Sequence, residues 1–252
     1  MRLLVACATA AATVSLSTPA EAAVPLSTPA EAATAVYGFA WADGKGHLRL
    51  VPKSATRASK RSYTFKTLHR ALELRLDYTK AAYGRVTVAC DLVETEGRIA
   101  VDGRGLGRTK CGPGDLTETL ARGPVPVRVE YRGGKATRVN EILIADWGSP
   151  RTARGTVKRV NDTAVLFTAG GRTIKLGYTY TTAFHRTTAR CGDGWLTGRP
   201  VNADRNGLGK KPCTWTDLTK ALKGTRHPVL VKVDYTPGVD ALNEVWEVFG
   251  DA

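Results

Sequence analysis

A basic segment between Pro52 and Arg70 carries the residue types that bind polyanions. Its seven lysine, arginine and histidine side chains are interleaved with Tyr63 and Phe65, and it contains no aspartate or glutamate. Lysine and arginine neutralise phosphates, and aromatic rings stack on bases or sugars. The expected contacts are Arg57, Lys60, Arg61, Tyr63, Lys66 and Arg70. The alternative interpretation is a solvated loop whose aromatic rings fold back onto the protein.

A second candidate site surrounds the last two cysteines. Trp195 lies four residues after Cys191, and Trp215 lies two residues after Cys213. A tryptophan has a large apolar face and a polar N–H group, so the pair could form a platform for a sugar ring. Nearby cations could supply charge to this ligand-binding corner: Arg205, Lys210 and Lys211. The alternative is that both indoles cover a disulfide.

The sequence gives little support to catalysis or to a metal site. It contains neither a Gly-x-Ser-x-Gly nor a His-Glu-x-x-His motif, and its cysteines lack the close spacing of zinc ligands. Asp204 is followed by Lys210 and Lys211, whereas calcium prefers several carboxylates. Glu141 and Glu244 recur beside asparagines, and we expect both to face solvent. We therefore predict no catalytic residues, no metal and no cofactor.

One segment occurs twice in the chain. Gly105-Leu106-Gly107 precedes Cys111 and an Asp-Leu-Thr, and the same order follows from Gly207 to Cys213 and beyond. Each copy therefore has its own cysteine pair, which predicts the disulfides Cys90–Cys111 and Cys191–Cys213. Disulfides form in oxidising compartments, so this pattern favours an exported protein.

The pattern of elements is the same in both copies. Three or four alternating strands precede a short helix, and two strands follow it. The helices are expected at Asp115–Leu120 and Asp217–Leu222, each with its aspartate as N-cap. The fold class is therefore mainly β with one short helix per repeat. The joint from Trp147 to Arg151 is short, so the repeats should touch.

This order of elements resembles OB-like small barrels, in which a helix lies between the third and fourth strands. The Ala-, Arg- and Thr-rich composition also resembles exported proteins of actinomycete bacteria. The resemblance implies two tandem OB-like small β-barrels, each stabilised by one disulfide.

The N-terminal segment has the features of a secretory signal. A charged start precedes the largely apolar stretch Leu3–Leu16, and Ala20-Glu21-Ala22 and Ala30-Glu31-Ala32 both fit a cleavage site. We predict a signal peptide and processing segment at 1–33, a first repeat at 34–147 with its insertion at 52–70, and a second repeat at 148–252. Lipid anchoring through Cys7 is the alternative. No later stretch reaches the ~20 apolar residues of a membrane span.

The balance of charge agrees with an anionic partner. The chain has 37 Lys and Arg against 23 Asp and Glu, a formal net charge of +14. We therefore expect a secreted, extracellular, non-catalytic binding protein. Its ligand would be a polyanion (cell-wall polymer, nucleic acid or acidic glycan) or a cell-surface glycan. The alternatives are a module that binds a secreted protein partner or inhibits an enzyme, and an enzyme with an unrecognised site.

Overall fold

The computed structural model describes residues 33–196 and 199–249. The signal and processing segment predicted at 1–33 lies outside these residues, apart from its last position. Residues 32–252 form one compact unit. No helix among the described residues is long and apolar enough to cross a membrane.

The first half of this unit is a nine-stranded sheet with one helix. Its strands occur in the order β6-β5-β8-β7-β1-β2-β3-β9, and β4 pairs with β2 and β8. The elements are β1 Thr34–Ala42, β2 His47–Arg57, β3 Ser62–Thr67, β4 Leu74–Asp77, β5 Ala82–Arg85, β6 Thr109–Cys111, α1 Pro113–Arg122, β7 Val125–Arg132, β8 Lys135–Glu141 and β9 Leu143–Ile144.

The second half repeats this plan with seven strands in the order β12-β11-β10-β15-β16-β13-β14. The elements are β10 Arg151–Asn161, β11 Ala164–Ala169, β12 Arg172–Gly177, β13 Ala183–Arg186, β14 Lys211–Cys213, α2 Trp215–Lys223, β15 Val229–Thr236 and β16 Ala241–Glu247. The predicted mainly β fold, with one short helix in each half, is confirmed.

Period-two alternation explains how each sheet separates a core from a solvent face. In β15, Val231 and Val233 are fully buried while Lys232 between them points outward. A helix closes each core with two leucines, Leu116 and Leu120 in the first half. Leu218 and Leu222 have the same role in the second half, so each half has its own hydrophobic core.

Both helices begin two residues earlier than predicted. Thr214 is the N-cap of α2, and its backbone N–H donates to the Asp217 carboxylate at 3.0 Å. The N–H of Gly112 donates in the same way to Asp115 at 2.7 Å. Each aspartate therefore occupies the third helical position, where its carboxylate reaches back to the cap residue as in a capping box. The N-cap assignment of the two aspartates was wrong.

The predicted disulfides are both present, one in each half. Cys90 bonds to Cys111 and Cys191 to Cys213, with 5.7 Å between the Cα atoms in each case. Each bond joins a long connection with little regular structure to the short strand before the helix. Two such bonds indicate a non-reducing environment for the folded protein.

A buried ion pair fixes the same connection in each half. Arg186 and Glu247 are both fully buried, and two guanidinium nitrogens donate to the carboxylate at 3.1 and 3.3 Å. Arg186 also donates to the carbonyl oxygens of Cys191 at 2.9 Å and Gly194 at 2.7 Å. Glu247 accepts the backbone N–H of Thr187 at 2.9 Å. The disulfide loop is thereby attached to the centre of the sheet.

The first half contains the equivalent pair. Arg85 donates through Nε to Glu141 at 3.2 Å and through Nη1 to the Cys90 carbonyl oxygen at 2.5 Å. Glu141 also accepts from the Tyr83 hydroxyl and from the Val86 N–H. The expectation that Glu141 faces solvent was therefore wrong.

The register also corrects the match between the two repeats. Val129 pairs with Val139 in the first half, and Val233 pairs with Val245 in the second. Val129 and Val233 occupy the same place in the two halves, so Val139 corresponds to Val245. Glu141 lies two residues after Val139 and therefore corresponds to Glu247 rather than to Glu244. The β15–β16 turn has four residues, 237–240, and the β7–β8 turn has two, 133–134. The two additional residues of the β15–β16 turn shift β16 along the sequence. The Asn-Glu pairs at 140–141 and 243–244 therefore do not occupy equivalent places in the two sheets.

The two halves touch, as the short joint predicts. Phe39 and Trp41 of the first half and Val239 of the second form a buried cluster. The ammonium group of Lys53 lies 3.4 Å from the Asp240 carboxylate beside it. Burial raises the pKa of Asp240, and the charge of Lys53 opposes that shift. The halves are thus joined by apolar packing with an ion pair at its edge.

We expect Arg186→Ala to destabilise the protein strongly. It leaves the fully buried Glu247 carboxylate without its cation, and removing one partner of a buried pair costs about 3–5 kcal/mol. Urea unfolding monitored by far-UV circular dichroism measures the loss of unfolding free energy. The control is Arg190→Ala, which removes an exposed ion pair to Asp193 in the same connection. Equal effects of the two substitutions would contradict this assignment.

Candidate anion-binding surface

The basic insertion forms a β-hairpin rather than a loop. Strand β2 continues past Val51 to Arg57 and pairs with β3, from Lys53 opposite Thr67 to Arg57 opposite Tyr63. The other edge of β3 pairs with β9. The segment therefore extends the sheet and is not a loop, but its aromatic residues Tyr63 and Phe65 do pack back onto the protein, as the alternative interpretation expects.

Strand alternation divides the predicted contact residues of the insertion between two faces. Tyr63 is only 5% exposed, and its hydroxyl donates to the Arg104 carbonyl oxygen at 2.5 Å. Burial raises its pKa to about 12. Its ring is thus not available to stack on a ligand, and we assign Tyr63 to the fold. Lys66 is exposed, but alternation places it on the opposite face from Tyr63.

The hairpin tip is bound to a neighbouring turn through Arg57. The Arg57 guanidinium donates to the carbonyl oxygens of Lys60 at 2.6 Å and Gly103 at 3.3 Å. Lys60 and Arg61 remain exposed and line a surface depression of about 640 Å³ together with Arg57 and Asp102.

Arg70, the last predicted contact of the insertion, is not part of that depression. It is exposed and has a φ of 66° in the connection after β3. The structure therefore brings Arg57, Lys60 and Arg61 together and leaves Lys66 and Arg70 elsewhere.

The neighbouring turn is organised by Asp102. Its Oδ1 accepts the N–H groups of Arg104 at 2.8 Å and Leu106 at 2.9 Å. Burial alone would raise the Asp102 pKa, but these hydrogen bonds, with the charge of Arg104, lower it below its usual value. Asp204 accepts the N–H groups of Asn206 and Leu208 in the same way in the second half. The shared aspartate thus shapes a turn in each repeat.

A second basic depression lies on the other side of this turn. Its volume is about 340 Å³, and four cationic residues line it: Arg104, Arg108, Lys110 and Arg138. Asn140 also lines it and donates to the Gly107 carbonyl oxygen at 2.8 Å. We call this depression the cleft. The cleft and the hairpin-tip depression together form the basic surface of the first half.

The sequence interpretation missed the cleft for a topological reason. Arg138 lies on β8, which pairs in parallel with β5, far from the Asp102 turn along the chain. Arg108 and Lys110, in contrast, lie inside the duplicated segment that ends at Cys111. The sequence did contain one signal for this part of the cleft, which is the pair of cations that follows the repeated Gly-Leu-Gly turn.

The second half has a different surface at the equivalent place. The strand registers equate Asn140 with Trp246 and Gly84 with His185. The His185 ring stacks on Trp246 with 5.4 Å between centroids and 11° between planes. The ammonium group of Lys232 lies 5.2 Å from the Trp246 ring centroid. Two stacked rings thus occupy the position of the open cleft.

Charge has also diverged between the two halves. The same registers equate Arg138 with Glu244 and Lys110 with Pro212. The predicted contacts Arg205, Lys210 and Lys211 belong to the Asp204 turn and the strand after it, where Arg205 and Lys210 are exposed. At the position of the cleft, the second half is therefore less positive than the first.

Trp195 and Trp215 pack against the core of the second half. Both are partly buried and contact the cluster that includes Cys213. The Trp195 ring stacks on Phe184 with 5.8 Å between centroids. These contacts favour the interpretation that the tryptophans cover the disulfide over that of a sugar platform.

The described residues offer two groups of potential metal ligands. Each combines a cysteine pair with Asp115 or Asp217. The sulfur atoms in both groups form disulfides, and metals bind the free thiolate. Neither group is therefore a metal site in the oxidised protein.

No protein-family model, curated protein or solved structure matches this chain. The resemblance to OB-like barrels of exported actinomycete proteins stays a prediction.

We expect Asp102→Ala to loosen the turn that positions Arg104. The substitution removes the acceptor of two backbone N–H groups, and amide exchange at residues 103–107 should become faster. Asp102→Asn keeps a side-chain oxygen and should exchange close to the wild-type rate. Hydrogen–deuterium exchange with mass spectrometry measures both. Wild-type exchange in the alanine variant would contradict the role of Asp102.

Proposed function

We propose that this protein is an exported, non-catalytic binding protein for an extracellular polyanion, which it contacts through the basic surface of its first half. The observation that carries the proposal is the convergence of cations from three separate segments around the Asp102 turn. These segments are the hairpin tip, the strand after the turn, and β8.

The arrangement is suited to a chain of repeated negative charges. Two adjoining depressions present exposed cations, and arginine forms paired hydrogen bonds to phosphate or carboxylate groups. Asp102 is the acid that lines both depressions. Its Oδ1 is already hydrogen-bonded to two backbone N–H groups, so it opposes an anion less than a free carboxylate would. Electrostatic attraction of this kind depends strongly on salt.

Export is supported by two independent features. The N-terminal segment has the composition of a secretory signal, and each half has a disulfide. An extracellular protein with so large an excess of Lys and Arg over Asp and Glu attracts wall polymers and acidic glycans.

The second half supports the proposal as an internal comparison. Its sheet has the same register, but Trp246 and His185 occupy the position of the cleft and Glu244 replaces Arg138. We expect it to bind the same ligand more weakly. Its exposed cations Arg205 and Lys210 would add long-range attraction.

We expect Arg104→Ala/Arg108→Ala/Arg138→Ala to elute from immobilised polyphosphate and heparin at clearly lower salt than the wild type. On a phosphate polymer, each lost contact should make the slope of log affinity against log salt shallower by ~0.7–0.9. The measurement is retention across a salt series. The Lys60→Ala/Arg61→Ala variant should also elute at lower salt than the wild type. It keeps Arg57, whose guanidinium binds the neighbouring turn.

The matched control removes three exposed cations of the second half: Arg151→Ala/Arg172→Ala/Arg226→Ala. Net charge changes equally in both triple variants, so a difference between them reports the site rather than the total charge. Equal retention of the two triple variants would contradict the proposal.

A further inference from the structure

Trp147 is an exposed aromatic side chain at the joint between the halves. It is 46% exposed, and its ring lies against Phe39 with 5.8 Å between centroids. Its carbonyl oxygen lies close to Gly238, where an added Cβ would come within 2.9 Å. The backbone of Trp147 therefore lies beside the second half, and its indole packs on the first half while much of its surface stays accessible.

Two depressions meet at this tryptophan. One has a volume of about 460 Å³ and the other about 230 Å³, and Pro124 and Trp147 line both. The larger is bordered by aliphatic side chains such as Val93 and Leu143, and by the charged residues Arg85, Glu94, Arg122 and Glu141. Together they give a groove along the joint with Trp147 near its middle.

The smaller depression is lined by uncharged polar groups. Its polar lining residues are Thr179, Thr181, Thr182 and Asn243. The Thr182 hydroxyl already donates to the Leu242 carbonyl oxygen, and the Asn243 amide donates to Asp234 and Thr236. The hydroxyl oxygens of Thr179 and Thr181 lie 3.0 Å apart, and Thr181 is exposed. No charged side chain of the described residues lines this depression. Its chemistry therefore differs from that of the basic surface.

Trp41 provides an independent sign of an unfilled hydrogen-bonding position. It is 2% exposed and lines the smaller depression. Its indole N–H is buried and has no acceptor among the described residues. Buried polar groups nearly always have a partner, so this enclosed donor marks an unfilled position within the protein beside the depression, and it is not itself open to a ligand.

We infer that this groove binds a neutral oligosaccharide, with Trp147 as its stacking platform. The apolar face of a sugar ring stacks on an exposed indole, and the exposed Thr181 hydroxyl can pair with a sugar hydroxyl. The absence of charged groups from the lining of the smaller depression, among the described residues, favours a neutral sugar over an acidic one. This site is separate from the basic surface and does not depend on it.

The five tryptophans permit a direct test by NMR. Each gives one indole N–H signal in a ¹⁵N correlation spectrum, which single Trp→Phe variants assign. The probes are chitohexaose and cellohexaose, added separately to the folded full chain at high salt. We expect saturable shifts of the Trp147 and Trp41 signals, with the Trp195, Trp215 and Trp246 signals unmoved.

Two variants connect the shifts to the groove. Trp147→Ala should abolish the shift of Trp41, and Thr181→Val should weaken binding several-fold without altering the ligand-free spectrum elsewhere. Trp246→Ala is the control, since its partly exposed ring lies on the outer face of the second half. Absence of saturable Trp147 shifts with both probes, or unchanged binding by Trp147→Ala, would overturn the inference. Either result would leave the proposal of polyanion binding unchanged, because the groove shares no lining residue with the basic surface.

Discussion

The fold depends on a pair of opposite charges placed where water cannot reach them. Burying an arginine and a glutamate is costly unless their hydrogen-bonding groups find partners. Glu247 and Arg186 meet this requirement with each other, with Thr187, and with the carbonyl oxygens of the disulfide loop. Long connections with little regular structure are thereby fixed in both halves. They carry the aspartate turns, so the positions of Arg104 and Arg108 in the first half depend on the equivalent pair, Arg85 and Glu141.

The duplication separates the requirements of folding from those of binding. Both halves keep the disulfide, the buried pair, the aspartate turn and the helix. The outer face has changed instead. The first half has an additional hairpin and an open, cationic cleft, whereas the second places Trp246 there and packs the partly buried Trp195 and Trp215 against its core. The halves therefore share one scaffold and differ in the surface available to a ligand.

Local patterns in the sequence predicted most of the strands, the two helices to within two residues at their starts and the disulfide pairing, because each depends on neighbouring residues or on the repeat. Strand β3 and the short strands β6, β9 and β14 were not predicted as separate elements. The burial of Glu141 could not be predicted, since it depends on a register that differing turn lengths conceal. Tyr63 was interpreted as a stacking residue because alternation in β3 shows only once its partner strand is known. Arg138 joins Arg108 through parallel pairing of distant strands, a contact that no local signal reports.

The central claim is that one half of a duplicated scaffold holds a polyanion at the basic surface around Asp102. Hydrogen–deuterium exchange of the full chain with and without soluble polyphosphate tests it most directly, because both halves are observed in one sample. The account predicts slower exchange at residues 57–61 and 102–111 and little change at the equivalent segment 204–213. Equal protection of the two segments, or none in the first half, would contradict it.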